Sequence, residues 1–171
     1  MKLEQEVAST QELLLRHIER EPGVRYRELM RLTGLANGVL TYHLAALERA
    51  SLIKVDRKSR TTRYYPVNIP EKELQLLGYV RHGPVREIIS FILQRDMCTF
   101  NEIVEHTKKA PSTVSSHLKR LRNAGILNVR YGEYQLYSLI DKDLVADVLS
   151  KYRASFVDRV IDNYVEILDE L

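Results

Sequence analysis

Apolar residues recur at intervals of three and four along most of this 171-residue chain, with shorter alternating runs between these stretches. The first stretch, residues 13–18, predicts a helix that ends before the Pro-Gly pair at 22–23. The sequence STQE at 9–12 has the pattern of a capping box and places the beginning of that helix there. A second, short helix is predicted over about 26–33, where a Thr-Gly pair ends the apolar pattern.

A third helix and a hairpin complete the first part of the chain. Leucines at i, i+4 and i+7 within residues 40–47 define the buried face of a helix over about 38–50. The runs 52–55 and 64–67 predict two strands, and the basic segment between them predicts the turn that joins them. Residues 1–69 are therefore predicted to form a domain of three helices followed by a two-stranded hairpin.

The same order of elements returns later in the chain. A shift of 74 positions aligns more than forty residues without a gap, and nine aligned pairs are identical. The identical pairs are Ile18/Ile92, Glu28/Glu102, Thr33/Thr107, Ala36/Ala110, His43/His117, Leu44/Leu118, Leu47/Leu121, Ala50/Ala124 and Val55/Val129. Each copy is long enough for its own core, so the repeat predicts a second domain at 83–140 and not a solenoid.

Two further segments lie outside the repeat. Residues 70–82 predict a connecting helix, and residues 141–171 predict a long final helix capped by Asp141. We expect the final helix to pair with a second subunit, because its apolar stripe is longer than one domain needs; folding back onto its own domain is the alternative. The stripe consists of Val145, Leu149, Tyr152, Phe156, Val160, Tyr164, Ile167 and Leu171.

Three helices followed by a hairpin is the order of a winged helix-turn-helix unit. The segments LTYHLAALERASLI (40–53) and VSSHLKRLRNAGIL (114–127) resemble the recognition-helix signature of ArsR- and MarR-like transcription regulators. Over residues 9–140 the layout resembles small archaeal tandem winged-helix regulators, and among these it is most similar to the euryarchaeal archaellum regulators. The resemblance implies a mainly α, α+β fold and a sequence-specific DNA-binding regulator that acts at promoters as an activator of archaellum genes.

The distribution of charge favours a polyanionic partner for the repeated body. Residues 1–82 carry 14 Lys and Arg against 10 Asp and Glu, and residues 83–140 carry 8 against 5. Residues 141–171 reverse the balance, with 4 basic and 8 acidic side chains. A basic body with an acidic tail suits a protein that binds DNA through the body and keeps the tail away from it.

The DNA-contacting residues are predicted from the outward stripe of each recognition helix and from the wings. With Leu40 facing the core and about 100° between successive residues, the first helix presents Gly38, Thr41, Tyr42 and Arg49. The second helix presents Ser112, Ser115, Ser116, Lys119, Arg120 and Asn123. The wings add Arg57, Lys58, Arg60 and Arg63, beside Lys54, in the first copy and Arg130 in the second. The more basic first wing is expected to supply more of the electrostatic affinity, with a solvated helix face and loop as alternatives.

Other chemistry is not indicated by the sequence. It has no Gly-rich phosphate loop, nucleophile–base motif or metal-ligand cluster, so we predict no enzyme and no cofactor. His43 and His117 lack neighbouring ligands at metal spacing and are expected to bond backbone or phosphate. Cys98, the single cysteine, aligns with Val24 and is expected to be a core residue. No apolar run approaches the roughly 18 residues of a membrane span, so we expect a cytoplasmic protein.

The expected partners are double-stranded DNA, a second copy of the chain through the C-terminal helix, and the basal transcription machinery. A rival interpretation is a tandem winged-helix module for protein contacts in a chromosome-organising complex, which predicts neither a cationic wing nor a cationic recognition face. A ligand-responsive repressor is a second rival. The missing cysteine pair of metal-sensing ArsR proteins and the missing sensor domain count against it.

Overall fold

The computed structural model describes residues 2–57 and 61–156. These residues divide into two units, the first reaching Leu74 and the second beginning at Gln75. Each unit is mainly helical and holds one small antiparallel sheet, so the predicted fold class is confirmed. No helix within the described residues is both long and apolar enough to cross a bilayer.

The first unit follows the predicted order of helices and adds one strand. Its elements are α1 (Lys2–Arg20), β1 (Val24–Arg25), α2 (Tyr26–Thr33), α3 (Asn37–Arg49), β2 (Ile53–Asp56), β3 (Arg63–Pro66) and the beginning of α4 (Glu71–Val80). The sheet order is β1-β3-β2, so the predicted hairpin gains a third strand and β3 becomes the central strand. The three helices and this sheet enclose a core of Leu14, Ile18, Val24, Leu29, Leu40, Leu44, Leu47, Ile53 and Tyr64.

One expectation for the first unit was wrong, and one strand was not predicted. Helix α1 begins at Lys2, so the capping-box sequence at 9–12 lies inside the helix. Residues 2–8 hold no Gly or Pro, and nothing in them stops the helix from extending toward the N-terminus. Strand β1 was missed because two residues are too few to show the alternation of apolar and polar positions that reveals a strand.

The second unit repeats the first element by element. After the end of α4 it contains α5 (Gly83–Arg95), β4 (Cys98–Thr99), α6 (Phe100–Thr107), α7 (Pro111–Asn123), β5 (Leu127–Arg130), β6 (Leu136–Leu139) and α8 (Lys142–Lys151). The sheet order is β4-β6-β5, and Cys98 pairs with Tyr137 as Val24 pairs with Tyr64 in the first unit. Burial of Cys98 confirms that it is a core residue.

Identical residues in the repeat perform identical structural tasks. The carboxylates of Glu28 and Glu102 each accept a hydrogen bond of 2.7 Å from the backbone N–H three residues earlier, at the beginning of α2 and α6. The hydroxyls of Thr33 and Thr107 donate to the carbonyls four residues earlier, at 2.6 and 2.8 Å. The repeat therefore preserves the beginning and the end of the helix that precedes each recognition helix.

The tail differs from the expected continuous helix. Asp141 caps α8, because its carboxylate accepts from the Leu144 N–H at 3.0 Å, but the helix ends at Lys151 and Tyr152 is a turn residue. Val145, Tyr152 and Phe156 are buried in their own unit. The first half of the apolar stripe thus covers its own domain, as the alternative interpretation expected. Its second half, Val160, Tyr164, Ile167 and Leu171, lies outside the described residues.

A pair of arginines holds the end of this described tail. The guanidinium carbons of Arg81 and Arg86 lie 5.2 and 4.9 Å from the centre of the Phe156 ring. Arg81 also donates to the carbonyl of Ser155 at 3.0 Å. Because cations are attracted to an aromatic face and Phe156 is buried, this contact anchors the tail on the second unit.

Candidate nucleic-acid interface

Helix α7 separates a buried stripe from a polar face. It begins with Pro111, whose fixed φ suits the first helical turn, and it buries Val114, Leu118 and Leu121 against the second unit. The opposite side is exposed at all six positions that the sequence assigned to DNA contact. These are Ser112, Ser115, Ser116, Lys119, Arg120 and Asn123. The face therefore offers hydroxyls, an amide and two cations to a ligand outside the unit.

Helix α3 has the same geometry and a different surface chemistry. Gly38, Thr41, Tyr42 and Arg49 are exposed as expected, and Tyr42 is 60% exposed. The three leucines at 40, 44 and 47 are buried beneath them. Ala45 is also exposed, so the middle of this face has a small side chain and almost no charge.

A hydroxyl network that the sequence did not predict stiffens the first turn of α3. The Tyr26 hydroxyl lies 2.6 Å from the Asn37 side-chain oxygen and 2.8 Å from the Thr41 hydroxyl. Thr41 also donates to the Asn37 carbonyl at 2.9 Å. The Thr41 hydroxyl is thus already engaged, and its methyl group is the part best able to contact a ligand. The repeat held a signal for this network. Tyr26 aligns with Phe100, so the two copies differ at this position by a hydroxyl that only the first copy has.

Arg63 does not contribute to the surface of the wing. Its side chain is only 5% exposed, and its guanidinium donates to the Gly23 carbonyl at 2.8 Å. The structure therefore does not place Arg63 on the surface that the predicted DNA contact needs, since it lies in the central strand of the sheet with its side chain buried. Lys54 is likewise engaged, since its ammonium donates to the Ile69 carbonyl at 2.6 Å.

Arg57 is exposed and forms a two-point ion pair with the recognition helix. Its two terminal nitrogens donate to the two carboxylate oxygens of Glu48, both at 2.6 Å. These hydrogen bonds lower the pKa of Glu48 and raise that of Arg57. Lys58 and Arg60 lie outside the described residues. The basic side chains of the first wing that the structure describes, Lys54, Arg57 and Arg63, therefore all have partners within their own unit.

The second wing carries features that the sequence analysis missed. Arg130 is exposed as predicted, and two tyrosines beside it, Tyr131 and Tyr134, are each 66% exposed. The Tyr131 hydroxyl accepts a hydrogen bond of 3.1 Å from Arg122 of α7. The hairpin that carries them has five residues between its strands, one fewer than the first wing. The charge pattern that predicts the wing contacts carries no signal for aromatic side chains, so these exposed tyrosines were not predicted.

A basic pair lies directly before α7. Lys108 and Lys109 are exposed in the turn between α6 and α7, and Lys108 adopts a left-handed conformation with φ of 52°. Only Ala110 separates them from Pro111, so two further cations lie near the beginning of the recognition helix. The signal was the Lys-Lys dipeptide immediately before the predicted helix start.

The two histidines of the repeat lie against their own units. His43 is buried, and the Nδ1 atoms of His43 and His117 have no hydrogen-bond partner among the described residues. The backbone bond expected for them is therefore absent at that nitrogen. Burial, with a smaller effect of Arg120, lowers the pKa of His117. Within residues 2–57 and 61–156, no three His, Cys, Asp or Glu side chains are grouped as metal ligands.

Comparison with known families gives a separate match for each half of the chain. Residues 84–129 match the family described as bacterial regulatory protein, arsR family. Residues 8–77 match a family described as an N-terminal HTH domain. Both matched segments contain the recognition helix of their unit, which supports the winged helix-turn-helix interpretation of both copies.

A curated relative comes from Methanocaldococcus jannaschii. It is an uncharacterised HTH-type transcriptional regulator that is 30% identical over 118 residues, or 69% of this chain. The chain spans 30% of the length of that relative. The similarity therefore concerns a segment of a longer protein.

Solved structures with similar elements include three bacterial proteins. HlyU from Vibrio cholerae is 23% identical, with 48% of this chain and 90% of that chain covered and a TM-score of 0.43. The transcriptional repressor BigR from Xylella fastidiosa is 19% identical, with 48% and 85% covered and a TM-score of 0.44. ZitR from Lactococcus lactis, a zinc-responsive MarR family member, is 20% identical, with 79% and 84% covered and a TM-score of 0.34. At these scores the fold assignment rests on the elements and strand register of the chain itself.

Proposed function

We propose that this chain is a regulator of transcription that binds double-stranded DNA in a sequence-specific manner through its two winged-helix units. The observation that carries the proposal is the exposed face of α7, where polar and cationic side chains lie opposite a buried apolar stripe. A recognition helix needs this division, because one side must hold the helix on its domain while the other enters the major groove. The HTH family matches and the archaeal relative support the proposal.

The chemistry of α7 suits both phosphate and base contacts. Lys119 and Arg120 can neutralise phosphates or donate to guanine, and the amide of Asn123 can bond the edge of adenine. Arg120 lies 6.0 Å from the centre of the Tyr79 ring, a contact that restrains its guanidinium within the same unit. A restrained cation loses less side-chain freedom when it binds, so Arg120 is the stronger candidate for an oriented contact.

Helix α3 suits a different part of the site. The exposed ring of Tyr42 and the methyl of Thr41 can pack on thymine methyl groups, while Gly38 and Ala45 allow the backbone to approach the groove closely. The two helices present different chemistry, so we propose that they recognise different base pairs. The operator is then composite, with one segment for each unit.

Salt-dependent binding to a duplex tests the proposal. Each neutralised phosphate contributes about −0.9 to the slope of log affinity against log salt concentration. Replacing Lys119 and Arg120 with Ala should therefore flatten the slope by about 2 units on random-sequence duplex. The affinity can be measured by fluorescence anisotropy of a labelled duplex over a range of salt concentrations.

A cation on another helix provides the control. Lys142 lies on α8, where its ammonium is 2.6 Å from the Asp96 carboxylate. Lys142→Ala changes the net charge in the same direction and should leave the slope within experimental error. Equal slopes for the wild type and the double variant of α7 would overturn the assignment of the α7 face to DNA.

The finer form of the proposal is that the protein acts at promoters and activates archaellum genes. It is supported by the resemblance to the euryarchaeal archaellum regulator EarA over residues 9–140 and by the archaeal source of the curated relative. Genome-wide mapping of bound sites, combined with transcript levels after deletion of the gene, tests it. Binding upstream of archaellum genes with loss of their transcripts is expected, whereas increased transcripts would identify a repressor.

The partners of a regulator follow from its assembly. We propose that the protein forms a homodimer through the C-terminal segment and contacts the basal transcription machinery while bound to DNA. Support for the dimer is now limited to the sequence pattern of the second half of the apolar stripe, because the first half covers its own unit. The acidic residues of the same segment suit a surface that faces away from DNA.

One rival function has a specific observation in its favour. The exposed face of α3 is nearly uncharged, as expected for a tandem winged-helix module that binds proteins. The cationic face of α7 and the exposed Arg130 favour DNA for the second unit. Separate deletions of α3 and of α7 distinguish the two functions. If only the deletion of α7 abolishes duplex binding, α3 remains a candidate for protein contacts.

A further inference from the structure

The junction between recognition helix and wing is occupied by corresponding residues in the two units. A shift of 74 positions places Glu48 on Arg122 and Arg57 on Tyr131. In the first unit the helix residue Glu48 accepts two hydrogen bonds of 2.6 Å from Arg57 of the wing. In the second unit the helix residue Arg122 donates to the Tyr131 hydroxyl of the wing at 3.1 Å. The two junctions share their position in the fold and differ in chemistry.

This difference changes the charge that each unit offers to DNA. The carboxylate of Glu48 neutralises Arg57, so the first junction has no net charge. The Tyr131 hydroxyl is neutral, so the second junction keeps the full charge of Arg122. The recognition helices show the same contrast: α3 carries one acidic and one basic residue, whereas α7 carries three basic residues and no acidic one.

Arg122 is well placed to bind a phosphate. Its side chain is exposed, and the contact with Tyr131 uses a single N–H donor. A guanidinium has five such donors in a planar fork that matches a phosphate. Tyr131 is itself 66% exposed, so both members of the pair face the solvent beside the wing, where the backbone of a duplex would pass.

Glu48 has the opposite effect on Arg57. A phosphate that approaches this wing must displace a carboxylate that already occupies the guanidinium fork at two points. The same carboxylate repels the phosphate. Since phosphate contacts are independent of sequence, their loss lowers affinity for every duplex and leaves base contacts as the larger share of binding by the first unit.

We propose that this junction divides the work of DNA binding between the units: Arg122, oriented by Tyr131, binds a phosphate, and Glu48 withholds Arg57 from phosphate so that the first unit depends on base contacts. The inference rests on the proposed function and adds Arg122 as a DNA-binding residue and Glu48 as a specificity-determining residue. The second unit then supplies most of the sequence-independent affinity in addition to its own base contacts. The first unit contributes mainly through base contacts.

Two single substitutions should change the salt dependence of duplex binding in opposite directions. Arg122→Gln removes one phosphate contact and should flatten the slope of log affinity against log salt by about 0.9 on random-sequence duplex. Glu48→Gln frees Arg57 and should steepen the slope by about the same amount. Glu48→Gln should also lower the ratio of affinities for a selected site and for random duplex. Fluorescence anisotropy with the full-length chain measures all three quantities.

A second ion pair of the first unit supplies the matched control. Glu12 and Arg16 form an exposed pair on α1 with an N–O distance of 2.6 Å, outside the recognition helix and the wing. Glu12→Gln makes the same change in net charge as Glu48→Gln and should not change the slope. Identical slopes for these two glutamine variants would show that only net charge matters and would overturn the role of Glu48.

A transplanted junction guards against effects on folding. Glu48→Arg combined with Arg57→Tyr places the pair of the second unit into the first, and thermal unfolding by circular dichroism shows whether the variant folds. The folded variant should bind random duplex with a steeper slope. An unchanged slope for Arg122→Gln overturns the assignment of Arg122 while duplex binding itself stands. A wild-type chain that binds no duplex overturns the proposed function and this inference together.

Discussion

The guanidinium of Arg63 and the carbonyl of Gly23 are joined by a 2.8 Å hydrogen bond, although the two residues are 40 positions apart. The bond fastens the central strand of the first sheet to the turn that follows α1. Gly23 has a φ of 84°, and a Cβ there would lie 3.1 Å from the Tyr65 ring, so the turn needs glycine. A residue expected to bind DNA from the wing instead holds the core together.

Arg63→Ala should lower stability. The substitution leaves the Gly23 carbonyl without its charged donor in a buried place, which costs about 1.5–3 kcal/mol. Urea unfolding followed by circular dichroism measures the change in the free energy of unfolding. Arg130→Ala, at an exposed position of the second wing, should stay within about 0.5 kcal/mol of the wild type. Unchanged stability of the Arg63 variant, together with a flatter salt slope, would restore Arg63 as a DNA contact.

Cys98 should make stability depend on pH in the alkaline range. Burial raises the pKa of its thiol from 9.0 to about 11. A raised pKa means that the folded state holds the proton more tightly than the unfolded state, so the contribution to stability is complete below pH 9 and is lost as pH rises through 11. The free energy of unfolding should therefore fall across this interval.

Cys98→Val provides the comparison for that prediction, because Val24 occupies the corresponding place in the first unit. Tyrosine ionisation affects both proteins alike and cancels in the difference between them. The variant should lose less stability than the wild type between pH 9 and 11, as measured by urea unfolding. Parallel pH profiles would show that the thiol does not titrate differently in the folded state.

Two truncations should separate the part of the tail that stabilises the second unit from the part proposed to form the dimer. Ending the chain after Lys151 removes the buried Tyr152 and Phe156 and should destabilise the second unit by about 1.5–3 kcal/mol for each side chain. Ending it after Phe156 keeps both and should give a folded monomer with weaker, less cooperative binding to a two-site duplex. Sedimentation and unfolding of both forms provide the readouts. A monomeric full-length protein at tens of micromolar concentration would contradict the dimer.

Sequence periodicity located most helices because their buried faces are regular. Helix α2 lies at the predicted position, and the exposed faces of α3 and α7 carry the residues expected there. The same regularity misled at the tail, where the apolar stripe continues through Tyr152 although the helix ends before it. A periodic pattern indicates which side of a helix is buried, but not where packing interrupts the helix.

The pattern of apolar and polar positions could not predict contacts between residues that are distant in the sequence. Glu48 and Arg57 are 9 positions apart and belong to different elements, so only the fold brings them together. The burial of Arg63 depends on β1, a strand of two residues that makes β3 central in its sheet. Local charge alone therefore overestimated how many cations the first wing has available for DNA.

Selection of bound sites from a random duplex pool shows whether both recognition helices read the sequence of one duplex. The wild type should enrich one composite sequence with two segments of information. Tyr42→Ala should relax one segment, and Ser116→Ala with Asn123→Ala should relax the other, by about 1–3 kcal/mol for a bidentate contact. Failure of the wild type to enrich any sequence, or equal loss of affinity for selected and random duplex in all variants, would contradict the account.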